Sequence, residues 1–245
     1  DRGGSLAAED VEAVLLSARD AVIPQRLVTK IDFLALYRER LAGVVRALLE
    51  TDVACPLLGL HVVVDAAGGA GGFYADFLEE LGAEVTGSRG LTPEPRFEGC
   101  GLDAPDALAE LSRAVVDSEA DMGVLFDADC DRAAIVDEAG RAVNKNRLIA
   151  LIAAILLEET PGATFVTDSV TSTGLQTFIT EWGGVHYRFK RGYRNVIREA
   201  IRLNEEGIDC PLAIETSGHA AFRENHFVDD GMYLATRLVC EALKR

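Results

Sequence analysis

The chain has 245 residues, of which 49% are hydrophobic, so it is long enough for one large domain or two domains of ordinary size. Its formal net charge of -16 at pH 7 argues against a nucleic-acid or anionic-membrane partner, since either would need a basic patch. The five cysteines form no C-x-x-C pair and no apolar run is long enough to span a bilayer, so we expect a soluble protein of the reducing cytoplasm.

The first part of the chain predicts two helices. Ala7 to Ala18 has the pattern of a short amphipathic helix, and Ile31 to Leu49 repeats apolar residues at helical spacing. The chain begins at Asp1 without an initiator Met, which indicates a piece of a longer polypeptide.

Beyond residue 59, strands alternate with helices. A strand at Leu60–Val64 leads into a glycine-rich turn, which we interpret as structural because it lacks the Lys-Ser/Thr of a P-loop and the spacing of a dinucleotide fingerprint. The following elements are predicted as a helix at Phe73–Leu81, a strand at Ala83–Thr86, a loop at 93–105, a helix at Ala107–Val116, strands at Gly123–Phe126 and Ala133–Val136, and a turn at 138–141.

The second half of the chain repeats this alternation of elements. It predicts an α/β protein with two successive α/β/α domains and mostly parallel sheets, joined near Asn144. Such sheets bind ligands beyond the carboxyl ends of their strands, so we expect the functional residues in those loops. The predicted helices are Arg147–Leu157, Ser172–Trp182, Tyr193–Leu203 and Asp230–Leu243, and the predicted strands are Thr164–Thr167, Val185–Phe189 and Leu212–Ile214.

An acidic segment, DADCDR at 127–132, directly follows an apolar strand. Its three carboxylates would repel one another in a curled loop, by roughly 4 kcal/mol for two unit charges about 4 Å apart at an effective dielectric near 20. A divalent cation removes this cost, and Mg²⁺ prefers oxygen ligands and often completes its shell with phosphate. The segment therefore predicts a magnesium site at Asp127, Asp129 and Asp131, with Arg132 neutralising the cluster or binding phosphate. The alternative is a loop that only caps a helix or solvates a turn.

A second motif, ETSGH at 215–219, also lies at the end of a predicted strand. The Glu215 carboxylate can accept from sugar hydroxyls, Ser217 can both donate and accept, and His219 could act as an acid or base near neutral pH. The alternative is a helix-capping turn with a satisfied histidine.

A third motif, KRGYR at 190–194, leaves a strand and enters a helix. Free N–H groups and the dipole at a helix N-terminus already favour anions. Together with Lys190, Arg191 and Arg194, they predict a phosphate site in an otherwise acidic chain.

These three motifs, in this order, resemble those of the α-D-phosphohexomutase family of phosphoglucomutases and phosphomannomutases. The family's metal loop is usually written DGDGDR, so Ala128 and Cys130 replace two glycines, and its sugar-binding loop is usually E-x-S-G-H. The resemblance covers the middle of a four-domain architecture. It implies that residues 1–25 are the tail of the first domain, 26–142 are domain II with the metal loop, and 143–245 are domain III with the sugar-binding loop.

The resemblance implies a phosphohexose mutase, in which a phosphoserine phosphorylates a hexose phosphate and the resulting bisphosphate reorients and returns its other phosphate. The phosphoserine loop and the fourth-domain phosphate clamp are missing from this chain, so we expect it alone to bind Mg²⁺ without turning over hexose phosphate. The implied roles are Mg²⁺ ligation by Asp127, Asp129 and Asp131, charge stabilisation by Arg132, sugar binding by Glu215 and Ser217, and phosphate contact or proton transfer by Lys190, Arg194 and His219.

Two other functions stay open at this point. A haloacid-dehalogenase-type phosphatase also places D-x-D after a strand, with the first Asp as nucleophile and Mg²⁺ bound, but it has no use for ETSGH. A non-catalytic sugar-phosphate-binding module would need the same loops without turnover. The choice among glucose, mannose and amino sugars depends on loop geometry, and no oligomeric state is predicted.

Overall fold

The computed structural model describes residues 6, 8–19, 29–94, 102, 106–143 and 145–245. Two α/β units follow one another along the chain, each built on a four-stranded sheet. Most of the predicted loop at 93–105, and the predicted junction at Asn144, lie outside the described residues.

In the first unit the sheet order is β1-β2-β3-β4. Strands β1 and β2 are parallel, and β3 is antiparallel to both of its neighbours, so three of the four strands point the same way. The elements are α1 (Ala8–Arg19), α2 (Phe33–Leu48), β1 (Val62–Asp65), α3 (Phe73–Glu80), α4 (Ala107–Asp117), β2 (Met122–Phe126), β3 (Ala133–Asp137) and β4 (Ala142–Val143).

In the second unit the order is β6-β5-β7-β8, and only β8 is antiparallel to its neighbour. The mostly parallel α/β/α architecture predicted from the sequence is confirmed in both units. The elements are α5 (Asn146–Glu159), β5 (Thr164–Thr167), α6 (Thr173–Glu181), β6 (Val185–Arg188), α7 (Tyr193–Glu205), β7 (Leu212–Ile214), β8 (Ala220–Phe222) and α8 (Gly231–Lys244).

The predicted strand at Ala83–Thr86 is wrong. Two isolated parallel bridges to the β1 segment, at Glu84 and Arg89, replace it. A turn at Gly87, whose φ is 88°, separates the two bridges and prevents a continuous ladder.

A shared apolar core joins the two units. The β1 and β2 side chains are buried along the whole length of each strand. Phe126 of the first sheet and Phe222 of the second belong to the same buried cluster. Helix α8 contacts β2, β3 and α2, so the last helix of the chain packs on the first unit. None of the helices in the described ranges is long and apolar enough to cross a membrane.

Candidate active site

The acidic loop turns sharply where β2 ends. Cys130 has a φ of 64°, in the left-handed region that favours glycine, and its N–H donates to the Asp127 carbonyl at 3.3 Å. The Cys130 thiol is directed at the same carbonyl at 3.5 Å, and burial raises its pKa to about 12. The thiol is therefore protonated at neutral pH in the metal-free loop, and sulfur is a poor ligand for Mg²⁺.

Two glycines let the protein backbone close tightly around this loop. A Cβ on Gly69 would lie 2.5 Å from the Ala128 carbonyl oxygen, and one on Gly231 would lie 2.6 Å from the Arg132 carbonyl carbon. The N–H of Gly231 donates to the Cys130 carbonyl at 3.0 Å. Gly69 thus allows the glycine-rich turn to contact the acidic loop directly.

The three predicted metal ligands converge. Asp127, Asp129 and Asp131 each place a carboxylate oxygen within 4.8 Å of the others. Asp127 is only 5% exposed, and Arg132 Nε donates to its Oδ2 at 2.6 Å. Burial raises the pKa of Asp127, and the Arg132 hydrogen bond opposes this rise. Three hard oxygen donors at one point, without a soft ligand among them, fit Mg²⁺.

The loop at residues 215–219, the sugar-type loop, is held in place by a buried glutamate. Glu215 is 4% exposed, and its Oε1 accepts from the Gly192 N–H at 2.6 Å. Its Oε2 accepts from Ser217 Oγ at 3.2 Å. Glu215 thus ties the loop after β6 to the loop after β7 and orients the serine hydroxyl.

His219 joins the sugar-type loop to the acidic loop. Its Nδ1 lies 2.8 Å from Ser217 Oγ, its Nε2 lies 3.4 Å from Asp131 Oδ2, and its ring stacks on Tyr193 with centroids 4.9 Å apart. Burial alone would lower the pKa of His219, but the hydrogen bond to Asp131 and the nearby charge of Asp229 raise it above its usual value. An isolated antiparallel bridge between Arg132 and His219 fixes the two loops side by side.

Sequence reasoning missed Asp229, which shares a cluster with Asp131 and His219. Both Asp229 carboxylate oxygens are buried and have no hydrogen-bond partner among the described residues, and burial raises the pKa of this carboxyl to about 7. The acidic pair before α8 is a capping signal in the sequence, but the cap is Asp230, which accepts from the Tyr233 N–H at 2.9 Å. Nothing local shows that the first acid of the pair faces the site.

Sequence reasoning also missed Asp168, which binds Thr216 of the sugar-type loop. This carboxyl is 1% exposed, and its Oδ2 accepts from the Thr216 N–H at 3.0 Å and from Thr216 Oγ1 at 2.7 Å. A single aspartate after a strand has no sequence signature that would reveal this contact.

The side chains of two basic residues predicted to contact phosphate, Lys190 and Arg194, point to different surroundings. Lys190 is exposed, and Arg194 donates from Nη1 to the Leu6 carbonyl at 3.2 Å. No hydrogen bond or ion pair in the described part of the chain links either side chain to the acidic or sugar-type loop. A cleft of about 460 Å³ opens between the two units, and Arg132 and Ser217 line it.

Three convergent carboxylates beside a loop that carries a glutamate, a serine and a histidine, at the strand ends of an α/β fold, are typical of proteins that act on phosphorylated ligands with a divalent metal. Sequence models of the phosphoglucomutase/phosphomannomutase family match both units, as α/β/α domain II at residues 44–140 and α/β/α domain III at residues 144–245. The chain belongs to this family, as its three motifs indicated.

Comparisons with individual proteins indicate the same family. The chain is 31% identical to the phosphomannomutase/phosphoglucomutase of Pseudomonas putida, over 97% of the chain and 49% of that protein. It is 35% identical to the phosphoglucosamine mutase of a Sulfurovum species, over 72% of the chain and 39% of that protein. A phosphoglucomutase/phosphomannomutase family structure from Burkholderia thailandensis has a TM-score of 0.73 at 27% identity, over 97% of the chain and 50% of that structure. The chain spans about half the length of such relatives, or less.

Proposed function

We propose that the protein containing this chain is a phosphohexose mutase, which moves a phosphoryl group between C1 and C6 of a hexose phosphate. The observation that carries this proposal is the junction of the two loops: His219 lies 3.4 Å from Asp131 on one side and 2.8 Å from Ser217 on the other. The proposed cation site and the proposed hydroxyl-binding site would thereby be adjacent, which phosphoryl transfer to a sugar requires.

In this proposal Asp127, Asp129 and Asp131 hold Mg²⁺, which when bound supplies positive charge against a transferring phosphoryl group. Arg132 fixes Asp127 through its Nε and lines the cleft, so it can stabilise the same charge. The donor is the phosphoserine that the family resemblance implies, outside this chain.

The sugar-type loop would bind and orient the hexose. Ser217 and Glu215 are the proposed contacts for sugar hydroxyls. His219, held between Ser217 and Asp131, is the group we propose to take the proton from the attacking hydroxyl. Lys190 and Arg194 are proposed to contact phosphate.

We also propose that the protein works in the reducing cytoplasm, a setting that suits the free thiols of Cys55, Cys130, Cys210 and Cys240.

The test is Mg²⁺-dependent conversion of glucose 1-phosphate to glucose 6-phosphate by the full-length gene product, with mannose and glucosamine 1-phosphates as alternative substrates. Asp129→Asn and Ser217→Ala should each lower kcat/KM by roughly 100-fold or more. Asp52→Asn changes the charge equally at an exposed position and should leave it unchanged. The 245-residue chain alone should bind Mg²⁺ but show no turnover.

Other outcomes would contradict this proposal. Release of inorganic phosphate that is abolished by Asp127→Asn would favour a haloacid-dehalogenase-type phosphatase. Sugar-phosphate binding without turnover by the full-length product would favour a non-catalytic module. Mutase activity from the 245-residue chain alone would contradict the need for a phosphoserine outside it.

A further inference from the structure

A second group of metal-ligating side chains lies where the acidic loop meets the sugar-type loop. One carboxylate oxygen of Asp131, one of Asp229 and one ring nitrogen of His219 lie within 4.8 Å of one another. The three residues come from separate segments, namely the acidic loop, the segment before α8 and the sugar-type loop. All three are half-buried, and together they can supply two oxygen ligands and one nitrogen ligand to a cation.

The Asp229 carboxylate points to a ligand in this group. Both of its oxygens are buried, and neither has a hydrogen-bond partner among the described residues. A buried carboxylate without a partner is costly, and a cation bound to it would offset that cost. Since Asp229 lies with Asp131 and His219, a cation on Asp229 would have two further ligands within reach.

Hydrogen bonds beyond the group fix the direction of the His219 ring. Ser217 Oγ lies 3.2 Å from Glu215 Oε2 and 2.8 Å from His219 Nδ1. The Glu215 carboxylate can only accept, so it takes the single proton of the serine hydroxyl. The Ser217 oxygen then accepts from His219 Nδ1, which leaves the lone pair of the neutral ring on Nε2. Metal-binding histidines are commonly oriented in this way, by a hydrogen bond from the other ring nitrogen.

The Nε2 lone pair faces the two carboxylates. Nε2 lies 3.4 Å from Asp131 Oδ2, and two acceptor atoms at this distance repel unless a proton or a metal cation binds them. Stacking on Tyr193, with ring centroids 4.9 Å apart, holds the ring in this orientation. A metal cation can therefore replace the proton at Nε2 without any movement of the ring.

The ligands distinguish this group from the aspartates of the acidic loop. Those aspartates offer only oxygen, which suits Mg²⁺, whereas one imidazole with two carboxylates suits Zn²⁺. Asp131 belongs to both groups, and its two carboxylate oxygens allow it to contact two cations. Asp129 and Asp229 both line a cavity of about 570 Å³, which gives ions a route to either group.

We propose that Asp131, His219 and Asp229 form a Zn²⁺ site, separate from the Mg²⁺ site proposed for the acidic loop. The site itself does not depend on the proposed function, but its consequence rests on that function. A Zn²⁺ ion on Nε2 would occupy the lone pair with which His219 is proposed to take a proton. Zn²⁺ would therefore inhibit the mutase.

The binding test is calorimetric titration of the 245-residue chain with Zn²⁺ and, separately, with Mg²⁺. Cys55→Ser and Cys100→Ser are present throughout, because Cys55 is an exposed free thiol and Cys100 lies outside the described residues. His219→Gln removes a nitrogen ligand without removing a carboxylate. It should weaken Zn²⁺ binding by about tenfold or more and change Mg²⁺ binding less than about twofold.

Two matched Asp→Asn variants locate the ion. Asp229→Asn should weaken Zn²⁺ binding by about tenfold or more, and it should weaken Zn²⁺ binding more than Mg²⁺ binding. Asp129→Asn makes the same chemical change in the acidic loop and should show the opposite order. A larger loss of Zn²⁺ affinity in Asp129→Asn than in His219→Gln would place Zn²⁺ in the acidic loop and overturn the site. Unchanged Zn²⁺ affinity in His219→Gln or Asp229→Asn, or no Zn²⁺ binding by the unaltered chain, would also overturn it.

Turnover by the full-length gene product separates this inference from the proposed function. With saturating Mg²⁺, Zn²⁺ should inhibit glucose 1-phosphate conversion at concentrations near its measured Kd. Zn²⁺ binding with the expected losses, without mutase activity, would support the site and defeat the mutase. Mutase activity together with Zn²⁺ binding that His219→Gln leaves unchanged would overturn the site and leave the mutase standing. Turnover that saturating Zn²⁺ does not slow would overturn the inhibitory role.

Discussion

Asp229→Asn should make the protein more stable, and the gain should depend on pH. The carboxyl is buried, and its two oxygens have no hydrogen-bond partner among the described residues. Its pKa rises from 3.8 to about 7 on folding. A shift of about 3 units corresponds to roughly 4 kcal/mol, an upper bound on the destabilisation by the ionised form.

The sign follows from which state binds the proton. Between about pH 4 and pH 7 the folded protein keeps a proton on Asp229 that the unfolded chain has lost, so the free energy of unfolding falls as pH rises. Above about pH 7 both states are ionised and the penalty is constant. An asparagine never ionises, so the variant avoids the penalty. Its excess stability over the unaltered protein should shrink by about 2 kcal/mol between pH 8 and pH 5.5. This figure follows because about 1.5 pH units lie between pH 7 and pH 5.5, and each pH unit corresponds to about 1.36 kcal/mol.

The assay is urea unfolding followed by circular dichroism at both pH values, with a chelator present to keep divalent cations off the neighbouring carboxylates. Asp52→Asn removes an equal charge at an exposed position and should show no such pH dependence. An Asp229→Asn variant that is less stable than the unaltered protein at pH 8, or equally affected at both pH values, would refute the reasoning.

Three further changes test other parts of the structure. Gly231→Ala places a Cβ 2.6 Å from the Arg132 backbone, and it should lower the free energy of unfolding by about 1–3 kcal/mol. The control is Gly43→Ala inside α2, where the new Cβ meets open space. This variant should be neutral or stabilising in the same denaturation assay. Mg²⁺ at 10 mM should raise the free energy of unfolding by about 1.4 kcal/mol if its Kd is about 1 mM. Thermal melts should show that Asp129→Asn removes this gain in stability. An equal gain in that variant would place the ion elsewhere. Arg237→Met should cost about 2 kcal/mol or more in urea unfolding, because this 3%-exposed arginine neutralises two glutamates, and a neutral result would contradict that role.

Burial explains which elements were predictable. Strands β1 and β2 are buried along their whole length, so they appear in the sequence as short apolar runs bounded by polar residues. Strand β4 has two residues, too few to produce a periodic pattern, and it was not predicted. Strand β8 was also not predicted, and two of its three residues are alanine, which has a low strand propensity. The segment at Ala83–Thr86 has strand-like composition, but a tight turn at Gly87 limits it to isolated bridges.

The candidate site likewise contains residues that the sequence predicts and contacts that it does not. Asp127, Asp129 and Asp131 follow one strand, and Glu215 follows another, so the rule on strand ends places them without any tertiary information. The contact from Asp168 to the Thr216 hydroxyl spans 48 residues. Contacts at such separations depend on how the loops pack in three dimensions, which composition and spacing do not encode.

The central claim is that the metal loop and the sugar-type loop form one site. Mn²⁺ in place of Mg²⁺ tests this claim directly, because a paramagnetic ion accelerates the NMR relaxation of nearby protons on a bound sugar. We expect strong Mn²⁺-dependent relaxation of glucose 1-phosphate protons with the unaltered chain and its loss in Asp129→Asn. Equal relaxation in the two proteins, or none although both ligands bind, would contradict the claim.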